Sequence, residues 1–166
     1  MLQNRPALPL EPSLFDRTLQ VLLGVGLFTV MGIVASSWSR LPAEIPHHFN
    51  LAGEVDAWGG KWILLIPPAF SLVLGLGAWW LARIPHRYNY PWPITEENAP
   101  RQYRMARRFM FGLGVCITWM FATLALVIVS EALGRGFRPS LGVLLAVCLS
   151  PLTLVVGYLI RASKAR

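Results

Sequence analysis

The chain has 166 residues, of which 55% are hydrophobic and only 14% charged, with a mean hydropathy of +0.52. A globular domain usually carries about 25% charged residues, so this composition argues against a soluble fold. The net charge of +7 would fit nucleic acid in a soluble protein, but here it is better read as a signal of sidedness in a membrane.

The 15 basic and 8 acidic side chains leave four windows untouched: 18–39, 62–82, 109–130 and 139–160. A helix rises about 1.5 Å per residue, so each window spans the roughly 30 Å hydrocarbon core of a bilayer. A charge at the bilayer centre costs roughly 2.5–3.5 kcal/mol on insertion scales, which explains the gaps. The expected fold is all-α, an integral membrane four-helix bundle forming one domain over 1–166.

The segment before the first span holds Pro6, Pro9, Glu11, Pro12 and Asp16, which makes it long and acidic for a secretory signal. The first apolar run also exceeds the roughly 7–15 residues of such signals. The span is therefore expected to be retained, although Val34-Ala35-Ser36-Ser37 passes as a weak cleavage site.

Residues 40–61 form the first loop. Pro42 and Pro46 fix two φ angles and hold their predecessors extended, while Asn50, Gly53 and Gly59-Gly60 are turn residues. Ile45, Phe49, Leu51, Val55 and Trp58 need cover, so an ordered Pro/Gly-rich loop is expected, with a short hairpin folded onto the helix ends and Lys61 and Trp62 as interfacial anchors. His47, His48, Glu44, Glu54 and Asp56 are candidate metal ligands by type. Their spacing fits no zinc pattern, and adjacent histidines point apart on an extended chain. The expectation is no metal and no cofactor, with Asp56 and one histidine hydrogen-bonding to the loop's own backbone. A surface for an external peptide is the alternative.

The second span opens with Pro67-Pro68, which should start or kink it, and Pro151 should bend the fourth near its middle. Between the second and third spans, 83–108 divides in two. The Pro-, Tyr- and Trp-rich part, 84–93, should be extended against the headgroups. Then Thr95 or Asn98 caps a short basic helix, with Glu96 and Glu97 favoured near its positive end and Pro100 tolerated in a first turn. Arg101, Arg104, Arg107 and Arg108, with Gln102, Tyr103 and Phe109, suit anionic headgroups or a cytoplasmic partner protein. Cys116 and Cys148 lie within spans and read as packing residues.

Four spans place the termini and the 83–108 loop on one side, with eleven Lys and Arg there against four on the other. Both termini are therefore expected in the cytoplasm, with 40–61 outside. Gly24, Gly26, Gly75, Gly77, Gly112, Gly114 and Gly157 all fall toward the cytoplasmic half and are expected to form a tight crossing layer there. No Asp, Glu, Lys, Arg or His falls within the four windows, which argues against a proton pump, an ion-coupled transporter or an intramembrane catalyst.

Two stretches carry a family resemblance. Leu41, Pro42, Ile45, Pro46, His48, Phe49, Asn50, Gly53, Asp56, Trp58, Gly59 and Lys61 fit the pattern LPxxIPxHFNxxGxxDxWGxK. Pro91, Pro93, Ile94, Thr95, Glu96, Glu97, Asn98, Ala99, Arg101, Gln102, Tyr103, Ala106, Arg107 and Arg108 fit PxPITEENAxRQYxxARR. Together they resemble the bacterial membrane family known as domain of unknown function 1648, which includes SdpI-type toxin-immunity proteins. The resemblance implies a plasma-membrane protein without enzymatic activity that confines damage from a secreted peptide and engages a cytoplasmic partner. An accessory subunit of a larger membrane complex is the competing expectation, and a small transporter is weaker.

Overall fold

The computed structural model describes residues 5, 7–50 and 53–165. Pro6, Leu51 and Arg166, which entered the sequence reading, lie outside the described residues. Among the described residues four helices are each long and apolar enough to cross a membrane, the architecture of a multi-pass membrane protein.

Helix α1 spans Leu14–Ser37. Its start is fixed by a capping box: Asp16 N–H donates to Ser13 Oγ at 3.2 Å, and Ser13 N–H donates to the Asp16 carboxylate at 2.8 Å. The helix thus begins before the charge-free window and brings Asp16 into its first turn. A two-stranded antiparallel hairpin follows, β1 Glu44–Phe49 and β2 Val55–Gly60. A 3-10 turn, Lys61–Leu65, leads into α2, Ile66–Leu81. Pro67 and Pro68 sit in the first turn of α2, where a missing N–H breaks no helical bond, so they start the helix.

Helix α3 runs unbroken over Ala99–Ala132, 34 residues. At about 1.5 Å per residue it reaches well beyond the bilayer core, so its first turns stand outside the hydrocarbon. A turn with Gly134 and Gly136 at positive φ leads to α4, Leu141–Ser163. Pro151 removes the N–H that Val147 C=O would receive, and the Ser150 hydroxyl donates to that carbonyl instead at 2.8 Å.

α3 is the central element, packed against α1, α2 and α4. Trp119 Nε1 donates to Leu22 C=O at 3.1 Å, tying α3 to α1 within the span. The four helices do not pack evenly. None of the most apolar stretch of α4 is buried, and α4 lies along α3 outside a packed α1–α2–α3 unit. Its side chains there are mostly Leu, Val, Ala and Ile, with Ser150 and Thr153 donating to carbonyls of their own helix, so lipid solvates this stretch as well as protein does.

The glycine layer is realised in part. A Cβ on Gly26 would collide with Thr118, one on Gly75 would lie 3.0 Å from Thr118 Cγ2, and one on Gly114 would lie 2.5 Å from Leu23 Cδ1. Thr118 therefore sits where α1, α2 and α3 meet. Gly112 faces Leu154 of α4. Gly24, Gly77 and Gly157 correct the expectation, since a Cβ on any of them would meet nothing within 4 Å. Gly24 and Gly77 point away from the crossings because glycines two positions apart fall on different faces of a 3.6-residue helix, and Gly157 lies on α4, which packs chiefly along α3.

Candidate functional site

The two patterned loops lie at opposite ends of α3. At the hairpin end, β1 packs on α3. Leu41, Ile45 and Leu64 join Val30 and Val34 of α1 and Ala122, Ala125, Ile128 and Val129 of α3 in one core. Ile45 and Leu64 are completely buried, so the hairpin is seated on the helix ends. The register opposes Glu44 to Gly60 and Pro46 to Trp58, then breaks on either side of His48. The turn closes on itself: Glu54 N–H donates to Asn50 Oδ1 at 2.9 Å, and Gly53 takes φ +77°.

The outward surface of the hairpin is mixed. His48 Nδ1 and Asp56 Oδ1 lie 2.5 Å apart on exposed strands. Trp58 and Trp62 are exposed, Trp62 packs edge-on against Trp38 at 5.1 Å, and Lys61 Nζ stands 5.0 Å above the Trp38 ring. Among the described residues no three His, Cys, Asp or Glu side chains come together as a metal-binding group.

At the other end, the N-terminal arm is clasped to α3. Arg108 Nε donates to Asp16 Oδ1 at 3.1 Å and Arg108 Nη2 to Ser13 Oγ at 3.2 Å, while Arg107 Nη2 donates to Leu10 C=O at 2.8 Å. Asp16 is fully buried. Arg5 Nη1 donates to Tyr88 C=O at 2.6 Å, and its guanidinium stands over Tyr90 at 5.4 Å. All four tyrosines of the chain gather nearby. Tyr90 packs on Tyr88 at 6.2 Å and on Tyr103 at 6.0 Å, and Tyr158 of α4 stacks on Phe109 at 4.6 Å. Burial pushes the Tyr88 and Tyr90 phenols far above their usual range, and the nearby Tyr158 adds to it. The hydroxyls of both donate to backbone carbonyls, Tyr88 to Leu81 and Tyr90 to Pro85.

Residues 25–72 match the family model described as Domain of unknown function (DUF1648). The DUF1648 stretch runs from mid-α1 through the hairpin into α2, so it contains the whole hairpin motif. The clasp and the 83–108 loop lie outside it. No curated protein and no solved structure matches the chain.

Within the DUF1648 stretch the sequence-selected residues sort by depth. Pro46 is buried and Phe49, Gly53 and Gly59 are half-buried, whereas Pro42, His48, Asp56 and Trp58 face outward. Gly59 lies against Ile63 and His47, where a Cβ would come within 2.6 Å of Ile63 Cδ1. Beyond that stretch, Thr95 and Asn98 both contribute to the helix start. Thr95 N–H donates to Asn98 Oδ1 at 2.9 Å and Asn98 N–H to Thr95 Oγ1 at 3.2 Å, after which α3 begins at Ala99. Glu96, Glu97, Arg101 and Arg104 are exposed.

Gln102 and Tyr103 correct the expectation of a surface helix. Both are fully buried, because the tyrosine cluster and the end of α4 cover that face. Gln102 Nε2 donates to Ala162 C=O at 3.0 Å and to Ala165 C=O at 2.8 Å, tying α3 to the end of α4 and the residues just after it. Sequence reasoning missed Asp16, Ser13 and Arg5 as partners of this end. The spacing Ser13-x-x-Asp16 ahead of an apolar run was the available signal.

Proposed function

We propose that this chain is a non-enzymatic bacterial plasma-membrane protein with both termini cytoplasmic. In this reading the hairpin meets an envelope-active peptide outside the cell, giving immunity to it or sensing it, and the clasped end relays occupancy to a cytoplasmic partner. The observation that carries the reading is the continuity of α3. One helix of 34 residues holds the hairpin core at one end and the arm clasp at the other. A shift of the hairpin on Ala125 and Ile128 would move Arg107 and Arg108 with it. The non-enzymatic reading is supported by the exposure of His48 and Asp56, which acid–base chemistry would require in a cleft.

Photocrosslinkers placed at Trp58 and Arg104 in living cells, with and without a panel of envelope-active peptides, test it. Peptide capture at Trp58 together with peptide-dependent capture at Arg104 is the expected result. Unchanged crosslinking, and unchanged sensitivity of a deletion strain across the panel, would overturn it. Reporter fusions at Asn50 and Asn98 test the orientation, and both on one face would refute it.

A second reading, an accessory subunit of a larger complex, is favoured by α4, whose most apolar stretch finds no cover within the chain. Gentle extraction and native sizing separate the two: a stable larger assembly supports the subunit reading, and a lone chain or homodimer rejects it.

A further inference from the structure

We infer that the open cleft beside the first turns of α3 binds the phosphate of an anionic phospholipid headgroup, with Arg108 as its pre-positioned donor. The cleft has a volume of about 360 Å³ and is lined by Pro100, Arg101, Arg104, Met105 and Arg108. The three arginines recur at i, i+3 and i+7, so they share one helix face. This inference rests on the chain crossing a membrane and is independent of the sensor reading.

Three observations point to this ligand. The first is depth. The apolar run of α3 begins at Phe109, so Arg108 stands at its edge, Arg104 about one turn below and Arg101 about two, within reach of the headgroup layer. The second is unused binding capacity. Arg101 and Arg104 are exposed and have no hydrogen-bond or ion-pair partner among the described residues, and the Met105 side chain offers an apolar wall beside them.

The third is the state of Arg108. Its Nε and Nη2 are committed to Asp16 and Ser13, and its guanidinium lies 5.4 Å from the centre of the Phe15 ring. Nη1 has no hydrogen-bond partner among the described residues. The buried Asp16 and the capping hydroxyl therefore hold the guanidinium by two of its nitrogens, and Arg108 lines the cleft with Nη1 uncommitted among the described residues. A phosphate there gains charge-assisted bonds from a donor whose ordering has already been met by the fold, and the flexible Arg101 and Arg104 close on it. Asp16 is a positioning residue in this arrangement. Three guanidiniums against one buried carboxylate leave the cleft positive, which favours a net-negative headgroup over a zwitterionic one.

The test uses the full chain in detergent, probed by native mass spectrometry with phosphatidylglycerol, phosphatidylcholine and glycerol 3-phosphate. Phosphatidylglycerol should be retained at one per chain, with weaker retention of the other two. Arg101→Gln/Arg104→Gln should weaken phosphatidylglycerol retention at least tenfold, while Arg17→Gln, which removes one exposed positive charge from α1, should leave it unchanged. Asp16→Asn separates positioning from bulk charge, since diffuse attraction predicts tighter binding and a fixed Arg108 predicts several-fold weaker binding. Circular dichroism confirms helical content in each variant. Equal retention of phosphatidylcholine, or a double variant or Arg17→Gln behaving contrary to these expectations, would overturn the site. Equal binding of glycerol 3-phosphate would reassign it to a soluble phosphate and overturn the lipid assignment. Tighter binding in Asp16→Asn would overturn the positioning role.

Discussion

Asp16 and Arg108 meet at 3.1 Å across 92 positions of sequence, joining the first turn of α1 to the third turn of α3. Asp16 is almost fully enclosed, while the Arg108 side chain is 37% exposed. Removing the arginine strands a buried carboxylate, whereas removing the carboxylate leaves a cation that can reach water. Breaking a fully buried pair costs about 3–5 kcal/mol, and the partial exposure places this one lower. Arg108→Ala should destabilise the chain by about 2–3 kcal/mol and Asp16→Ala/Arg108→Ala by less than the sum of the single changes. Unfolding of the purified chain in mixed micelles, followed by circular dichroism, measures the cycle; strict additivity would show that the two groups are not coupled.

The crossing around Thr118 makes a prediction that contrasts neighbouring glycines. Gly26→Ala must displace Thr118 or separate α1 from α3, because the new methyl collides with the threonine side chain. Overpacking of this kind costs roughly 1–3 kcal/mol. Gly24→Ala adds a methyl with nothing within 4 Å and should be neutral or slightly stabilising, since alanine favours a helix by up to about 1 kcal/mol over glycine. The same unfolding measurement checks both. A larger loss for Gly24→Ala than for Gly26→Ala would contradict the packing.

The four spans were legible because charge avoidance is a property of each segment alone. Leu14–Ser37 departs from the 18–39 window at its start because the Ser13–Asp16 box, rather than hydropathy, fixes the helix entry. The pairing of that aspartate with Arg108 was not legible, since nothing local to residue 16 encodes a partner on α3. Gln102 and Tyr103 looked like surface residues in a basic stretch, and only the docking of α4 and the 83–98 loop buries them. Glycines two apart, such as Gly24 and Gly26, are equivalent in composition but not in direction. Which one faces a neighbour depends on the rotation of the helix, which lipid-facing and protein-facing apolar residues leave undetermined.

Gln102 should hold the end of α4 in place. Its amide nitrogen serves the carbonyls of Ala162, in the last turn, and Ala165, just after it, at 3.0 and 2.8 Å. Gln102→Leu keeps much of the volume and removes a buried Oε1 that has no partner among the described residues, but it takes the amide donor from both carbonyls, a net loss of about 0.5–1.5 kcal/mol. Because α4 packs along α3, the loss should appear locally. Hydrogen exchange is expected to rise over 158–165 while amides around Thr118 keep their protection. A uniform rise across all helices would show that the cap supports the whole fold instead.

The tyrosine cluster predicts an alkaline signature. Burial favours the neutral phenols of Tyr88 and Tyr90, so both ionise in the folded state only well above the pH at which an exposed tyrosine does. The sign follows from linkage: a raised folded-state pKa contributes stability below the unfolded value near 10 and loses it as pH climbs toward the folded one. In a Tyr103→Phe/Tyr158→Phe background only Tyr88 and Tyr90 remain to be titrated. The Tyr103 change should itself cost little, because that buried hydroxyl has no hydrogen-bond partner among the described residues. Absorbance at about 295 nm should stay flat through pH 11 and then rise together with loss of helical signal. A tyrosinate step near pH 10 with the helices intact would show that the two phenols are open to water, and with them the seat of Arg5 on Tyr90.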